Sequence, residues 1–295
     1  MGKGRKTKWI ITDPDFYDAE QSTPDSTPKL SGYRVKEIRS GNILELEVYP
    51  YWDTRPKCGV KASRLKESRA AQKRYNERNS RKRFVRLVNE NFGPGTAGGL
   101  HVTLTYESRN GRLPVMEEIQ RDARNYIARW QRRRKKAGLA SGKYMIVAEE
   151  GTENTKRLHL HVILESGIDR DTCESLWHFG YANADRLQPN EYGLEAMGQY
   201  LSKNPKGRRR WWGSKNLKQP TVKVYDHKAT RSTVRAIQHD KYAARELLKA
   251  YPGYFLYDPE QDVRVRTNSF VSGAYISIML ARDQRNDETK GRVKR

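Results

Sequence analysis

The chain has 295 residues, enough to bury a core without staples, and its 58 Lys and Arg against 35 Asp and Glu give a net charge of +23 at pH 7. That charge is the footprint of a polyanion binder, with nucleic acid as the leading partner. No run approaches the roughly 20 apolar residues of a membrane-spanning helix. The basic start lacks a signal-peptide apolar region, and Lys6 stands where a myristoylation pattern needs Ser or Thr, so the reading is a cytoplasmic chain with no membrane partner. Cys58 and Cys173 are too few for a disulfide framework and are not spaced as zinc ligands.

In chain order, residues 1–32 are rich in Ser, Thr, Pro and Asp without periodicity and read as a flexible arm. Residues 33–95 read as a basic, mostly helical extension that opens with one alternating stretch, GNILELEVYP, a strand or hairpin arm. Its helix, within residues 62–91, carries an apolar seam of Phe84, Leu87, Val88 and Phe92. A principal domain is expected over residues 96–225. It starts with the strand LHVTLTYE, where Val102, Leu104 and Tyr106 alternate with His101, Thr103 and Thr105. A long helix follows, with Ile119, Ala123, Tyr126, Ile127 and Trp130 toward the core and cations at its C-terminal end. Then come the strands KYMIVAEE and KRLHLHVILE, a short helix, the strand YANADRL, and a helix stopped by Pro205. This order predicts an α+β fold with a ferredoxin-like antiparallel sheet and helices on one side. A small α/β extension is expected over residues 226–283 and a disordered tail over 284–295.

The strand KRLHLHVILE raises the question of chemistry. Alternation puts Leu158, Leu160, Val162 and Leu164 on one face and His159 and His161 on the other. Two neutral imidazoles can ligate a divalent metal if a further ligand joins them. Glu150, at the end of the preceding strand, is the preferred carboxylate, with Glu149 as its competitor. Two His and one carboxylate leave positions open for water and a phosphate oxygen, as in a catalytic metal site. The nucleophile is sought among the Tyr residues followed three positions later by Lys, namely Tyr33 with Lys36, Tyr200 with Lys203, and Tyr225 with Lys228. On the helix before Pro205, Leu194, Met197 and Leu201 form a buried stripe, and Tyr200 and Lys203 point away from it at about 100° per residue. Tyr200 is therefore preferred, with Tyr225 as runner-up. Thr103 and Thr105 present a hydroxyl face. Arg208, Arg209, Arg210, Trp211, Trp212 and Lys215 mix cations with aromatics, a composition suited to phosphate contact and base stacking on single-stranded DNA.

The segments HVTLTY, EEGTENTKRLHLHVIL and YLSK, in this order, resemble the three motifs of the HUH endonucleases that initiate rolling-circle replication. The wider frame from Arg69 to Lys223 is similar to the initiators of filamentous single-stranded-DNA phages and small bacterial plasmids. The resemblance implies an HUH nickase fold and a Mg²⁺ or Mn²⁺ cofactor on His159, His161 and Glu150. It also implies Tyr200 as nucleophile with Lys203 as basic partner, and a bacterial host cytoplasm. Its partners would be a single-stranded origin near a hairpin and a host helicase and polymerase. No G-x-x-x-x-G-K-[ST] motor motif is present; GLASGKY is one residue short. The second tyrosine of two-tyrosine initiators is also lacking, since Tyr192 lies eight residues from Tyr200. Competing readings are an HUH transposase, a non-catalytic nucleic-acid-binding protein, and a two-histidine phosphoesterase suggested by His101 and Thr103 but lacking its second His-x-Thr/Ser.

Overall fold

A computed structural model describes residues 9–10, 29–52, 65–107, 114–150, 158–203, 211–268 and 271–282. The chain divides into two units: residues 1–79 with 221–295, and residues 80–220. The elements of the first half are β1 (Trp9–Ile10), β2 (Leu30–Ser40), β3 (Ile43–Trp52), α1 (Leu65–Phe92), β4 (Gly99–Thr105), α2 (Met116–Lys136) and β5 (Tyr144–Glu150). The second half holds β6 (Leu158–Glu165), α3 (Arg170–Ser175), β7 (Ala182–Arg186), α4 (Glu195–Leu201), β8 (Trp212–Gly213), β9 (Thr221–Tyr225) and α5 (Arg231–His239). It ends with α6 (Arg245–Leu248), β10 (Tyr254–Phe255), α7 (Pro259–Asp262), β11 (Val263–Asn268) and β12 (Val271–Arg282). The fold is α+β with antiparallel sheets, as the element order predicts.

In the 80–220 unit the sheet order is β7-β4-β6-β5-β8. With α2 between β4 and β5 and α3 between β6 and β7, the first four strands follow the βαββαβ path of a ferredoxin-like sheet. One face, carrying Leu100, Val102, Leu104, Ile146, Ala148, Leu160, Val162 and Leu164, is buried under Ile119, Ala123, Tyr126, Ile127 and Trp130 of α2 and Cys173 of α3. Each large apolar side chain buried there contributes roughly 1.5–3 kcal/mol. The N-terminus of α2 is closed by Glu118, whose carboxylate accepts from the Val115 amide at 2.9 Å. Asp169 caps α3 by accepting from the Thr172 amide at 2.7 Å.

The other face departs from the one-sided expectation. Met145, Val147 and Ile163 are apolar there, and they are covered by Phe84, Leu87, Val88 and Phe92 of α1 and by Leu194 and Leu201 beside and within α4. The apolar seam in α1 therefore has its partner in this unit.

The other unit joins the two ends of the described chain. Its sheet runs β10-β12-β3-β2-β9, with β1 on β3 and β11 on β12. GNILELEVYP, read as a strand or hairpin arm, forms most of β3, and the residues before it form the paired strand β2, through a two-residue turn in which Gly41 has φ 60°. Tyr33, Val35, Leu44, Leu46 and Val48 of this hairpin pack with Ile276, Ile278 and Leu280 of β12 and Val234 and Ile237 of α5. Buried Glu37 receives hydrogen bonds from Lys228 Nζ at 2.5 Å and Tyr251 Oη at 2.8 Å. Of the flexible arm expected over residues 1–32, β1 and residues 29–32 are described, and Leu30 already opens β2; the rest of it, and the disordered tail expected over 284–295, lie outside the described residues. Among the described residues no helix is long and apolar enough to cross a membrane.

Candidate metal centre

The register of β4, β5 and β6 assembles the site. Thr103 pairs with His161 and Thr105 with His159, while Glu149 pairs with His159 and Val147 with His161. Paired residues of an antiparallel sheet share a face, so both Thr residues, Glu149 and both imidazoles stand on the side opposite α2. The covering helices leave this end of the face open: His159 and Glu149 are part-exposed, and His161 is 5% exposed.

Glu149 Oε2 lies 3.2 Å from His161 Nε2 and 3.7 Å from His159 Nε2. One ligand atom from each of the three residues lies within 4.8 Å of the others, a spacing that one cation can bridge. Glu150, preferred from the sequence, pairs with Leu158, one register step away, and its side chain lies outside the described residues. Among the described side chains, the carboxylate found with the histidines is Glu149.

Burial, and then the neighbouring His101 and His159, push the His161 imidazole down to about 3, so the ring is neutral near pH 7 and has a lone pair to offer. His101 completes the arrangement: its Nε2 lies 3.0 Å from His161 Nδ1. A hydrogen bond on Nδ1 leaves Nε2, the nitrogen facing Glu149, for a ligand. His101 is also held low by burial, with the carboxylate of Asp185 opposing that shift. The alternation of β4 places His101 on the face of Thr103 and Thr105, and that is the sequence signal that could have found its role.

Tyr200 comes from α4 and is 64% exposed, with its ring centroid 6.3 Å from that of His161 at an interplanar angle of 68°. Leu194 and Leu201 are buried and Met197 partly so, which turns Tyr200 outward. Both ends of α4 are tied to α1. The Leu194 amide donates to Asn89 Oδ1 at 2.7 Å, and Arg81 donates to the carbonyls of Ser202 at 3.3 Å and Lys203 at 3.1 Å. Between them Gly198 lies close to Val85, where an added Cβ would meet the Val85 Cα at 3.2 Å.

The remaining candidates are distributed differently. Lys203 is exposed just past the end of α4, and no described contact joins its side chain to the histidines. Trp211 packs with Phe84 at 5.8 Å and donates to Ser80, whereas Trp212 packs with the core on the α2 side. Both residues are half-buried. Lys215 is exposed in a turn, and Arg208, Arg209 and Arg210 lie outside the described residues. Tyr225 belongs to the other unit, where Lys228 Nζ sits 3.9 Å from its ring centroid. Tyr33 is buried there and accepts from the Ala274 amide at 3.2 Å.

Residues 99–205 match the family model of the replication-associated protein ORF2/G2P. The match supports a protein of the rolling-circle replication initiator type, and with it a role in DNA replication. It begins on β4 and ends just beyond α4, so His101, Thr103, Thr105, Glu149, His159, His161, Tyr200 and Lys203 all lie inside it. No curated protein and no solved structure matches the chain.

Proposed function

We propose that the chain is a site-specific DNA nickase and strand-transferase that starts rolling-circle replication, with Tyr200 as nucleophile. The observation that carries this reading is the position of Tyr200. An exposed phenol stands beside Glu149, His159 and His161, within the stretch that matches a replication-associated family.

Glu149, His159 and His161 would hold Mg²⁺ or Mn²⁺, which when bound supplies polarisation of a phosphoryl oxygen. The donor set fits: two imidazoles, one of them held neutral, and a carboxylate converge with coordination positions to spare. Tyr200 Oη attacks the scissile phosphorus and loses its proton; the P–O3′ bond breaks and the leaving oxygen takes up a proton. The products are a 5′-phosphotyrosine and a free 3′-OH that primes synthesis. Because the phosphodiester energy is kept in the link, a later 3′-OH can reseal the strand. Lys203 would offset charge developing on the phosphate, and Thr103 and Thr105 would line the approach of the strand. The substrate is a single-stranded origin, presented near a hairpin, with a helicase and a polymerase supplied by the bacterial host cell. The open side of the sheet and the net charge of +23 favour such a polyanionic strand.

The test uses a pool of single-stranded DNA of randomised sequence with Mn²⁺ and the full chain. A covalent adduct is expected, its peptide mapping to Tyr200 by mass spectrometry. An absent adduct, or one undiminished in Tyr200→Phe, overturns the assignment.

A further inference from the structure

The helix α2 carries two kinds of arginine. Arg134, buried against the sheet side, is fully engaged: it donates to the carbonyls of Ala140 at 3.1 Å and Ser166 at 2.5 Å, and its guanidinium lies 5.1 Å from the ring centroid of Trp130. Arg129, Arg132, Arg133 and Lys136 follow the i, i+3, i+4, i+7 spacing of a single helical stripe. They line one side of a hollow of about 370 Å³ that is closed on the other side by Ser175 and His178, at and beyond the end of α3.

This stripe is compensated only in part. Arg129 donates from Nε to the Leu176 carbonyl at 3.0 Å, but its Nη2 is buried with no hydrogen-bond partner. Burial and the nearby Arg132 both weaken the hold of Arg129 on its proton, with Asp122 opposing them. Among the described residues, no ion pair or hydrogen bond engages the side chains of Arg132, Arg133 or Lys136. Favourable interaction with the helix dipole accounts for cations in the last turn, which holds Arg133, Arg134, Lys135 and Lys136. It does not account for Arg129 and Arg132, nor for a concave surface without a carboxylate among its lining groups. Such a surface recognises phosphate, because forked guanidinium donors match phosphate oxygens in geometry as well as charge.

We propose that the hollow between α2 and the end of α3 holds the phosphates of a bound DNA strand, as a second contact on the side of the sheet opposite the histidines. DNA that reaches both surfaces passes around the sheet, so the α2 contact grips the strand away from the scissile bond. The inference shares DNA as partner with the proposed function but does not depend on Tyr200.

The experiment is fluorescence anisotropy of a labelled single-stranded oligonucleotide with the full chain in EDTA, across a salt series. For Arg132→Gln/Arg133→Gln the slope of log affinity against log salt is expected to shrink by about 1.4, near 0.7 for each lost phosphate contact. Lys136→Gln should shrink it by about half as much. The control pair Arg124→Gln/Lys135→Gln removes equal charge from α2 outside the hollow and should leave the slope within about 0.3 of wild type. Equal effects in the two double variants, or none in the first, would overturn the proposal. So would loss of poly-glutamate binding in the first with DNA binding intact. Since no tyrosine chemistry enters this measurement, its failure and that of the adduct assay are separable.

Discussion

His101 Nε2 lies 3.0 Å from His161 Nδ1, and the two rings stack at 27° with centroids 5.1 Å apart. The contact gives a histidine outside the three-residue cluster control over which nitrogen of His161 is available. His101→Ala is therefore expected to lower Mn²⁺ affinity by about 10–100-fold while Glu149, His159 and His161 remain in place. Isothermal titration measures it, and an affinity equal to wild type would show that His101 does not orient the ligand.

Glu149 and Glu150 are adjacent, yet their register partners are His159 and Leu158. Glu149→Ala is expected to abolish measurable Mn²⁺ binding and the covalent adduct, and Glu150→Ala to leave both near wild type. The reverse pattern in the same titration and gel assay would move the carboxylate role to Glu150.

Asn89 fixes the start of α4 through its bond to the Leu194 amide at 2.7 Å. Asn89 is 1% exposed and Leu194 2%, so Asn89→Ala leaves that buried amide unpaired, at a cost of about 1–3 kcal/mol. Denaturant unfolding should show that loss, with a slower adduct rate because α4 carries Tyr200. A rate unchanged at full occupancy would mean that the anchor serves stability alone.

Acid should weaken the metal-free protein through His161. Its folded imidazole is held at about 3, mainly by burial, whereas an unfolded histidine titrates near 6.5. Between those values only the unfolded chain binds the proton. Stability is thus complete above about 6.5 and falls as pH is lowered toward 3, by up to about 1.4 kcal/mol per pH unit for this group. Urea midpoints in EDTA between pH 4 and 7 should fall less steeply in His161→Gln than in wild type; parallel lines would exclude His161 as the source.

Local patterning made much of the site's framework legible. Alternation alone puts His159 and His161 on one face of β6, and the Leu194, Met197, Leu201 stripe turns Tyr200 outward. Three things are not readable from it. Parity runs out at a strand end, so Glu149 and Glu150 could be separated only by the pairing of β5 with β6. Strand partners also lie far apart in the chain: GNILELEVYP reads as a strand or hairpin arm, but no periodicity says that β3 pairs with β12. His101 was visible as a residue but not as the neighbour of His161, because that contact runs diagonally between strands joined through α2 and β5.

The placement of β12 between β3 and β10 has a consequence for the order in which the protein can form. The unit that carries the histidines is one continuous stretch, residues 80–220, and all its strands have left the ribosome before β12 is synthesised. The other unit must hold its first hairpin unsatisfied along one edge until nearly the whole chain has been made. Domains tend to fold as units during synthesis, and closing so long a loop is slow. The unit of residues 80–220 is therefore poised to mature first, and the sheet of the other unit is completed last in time.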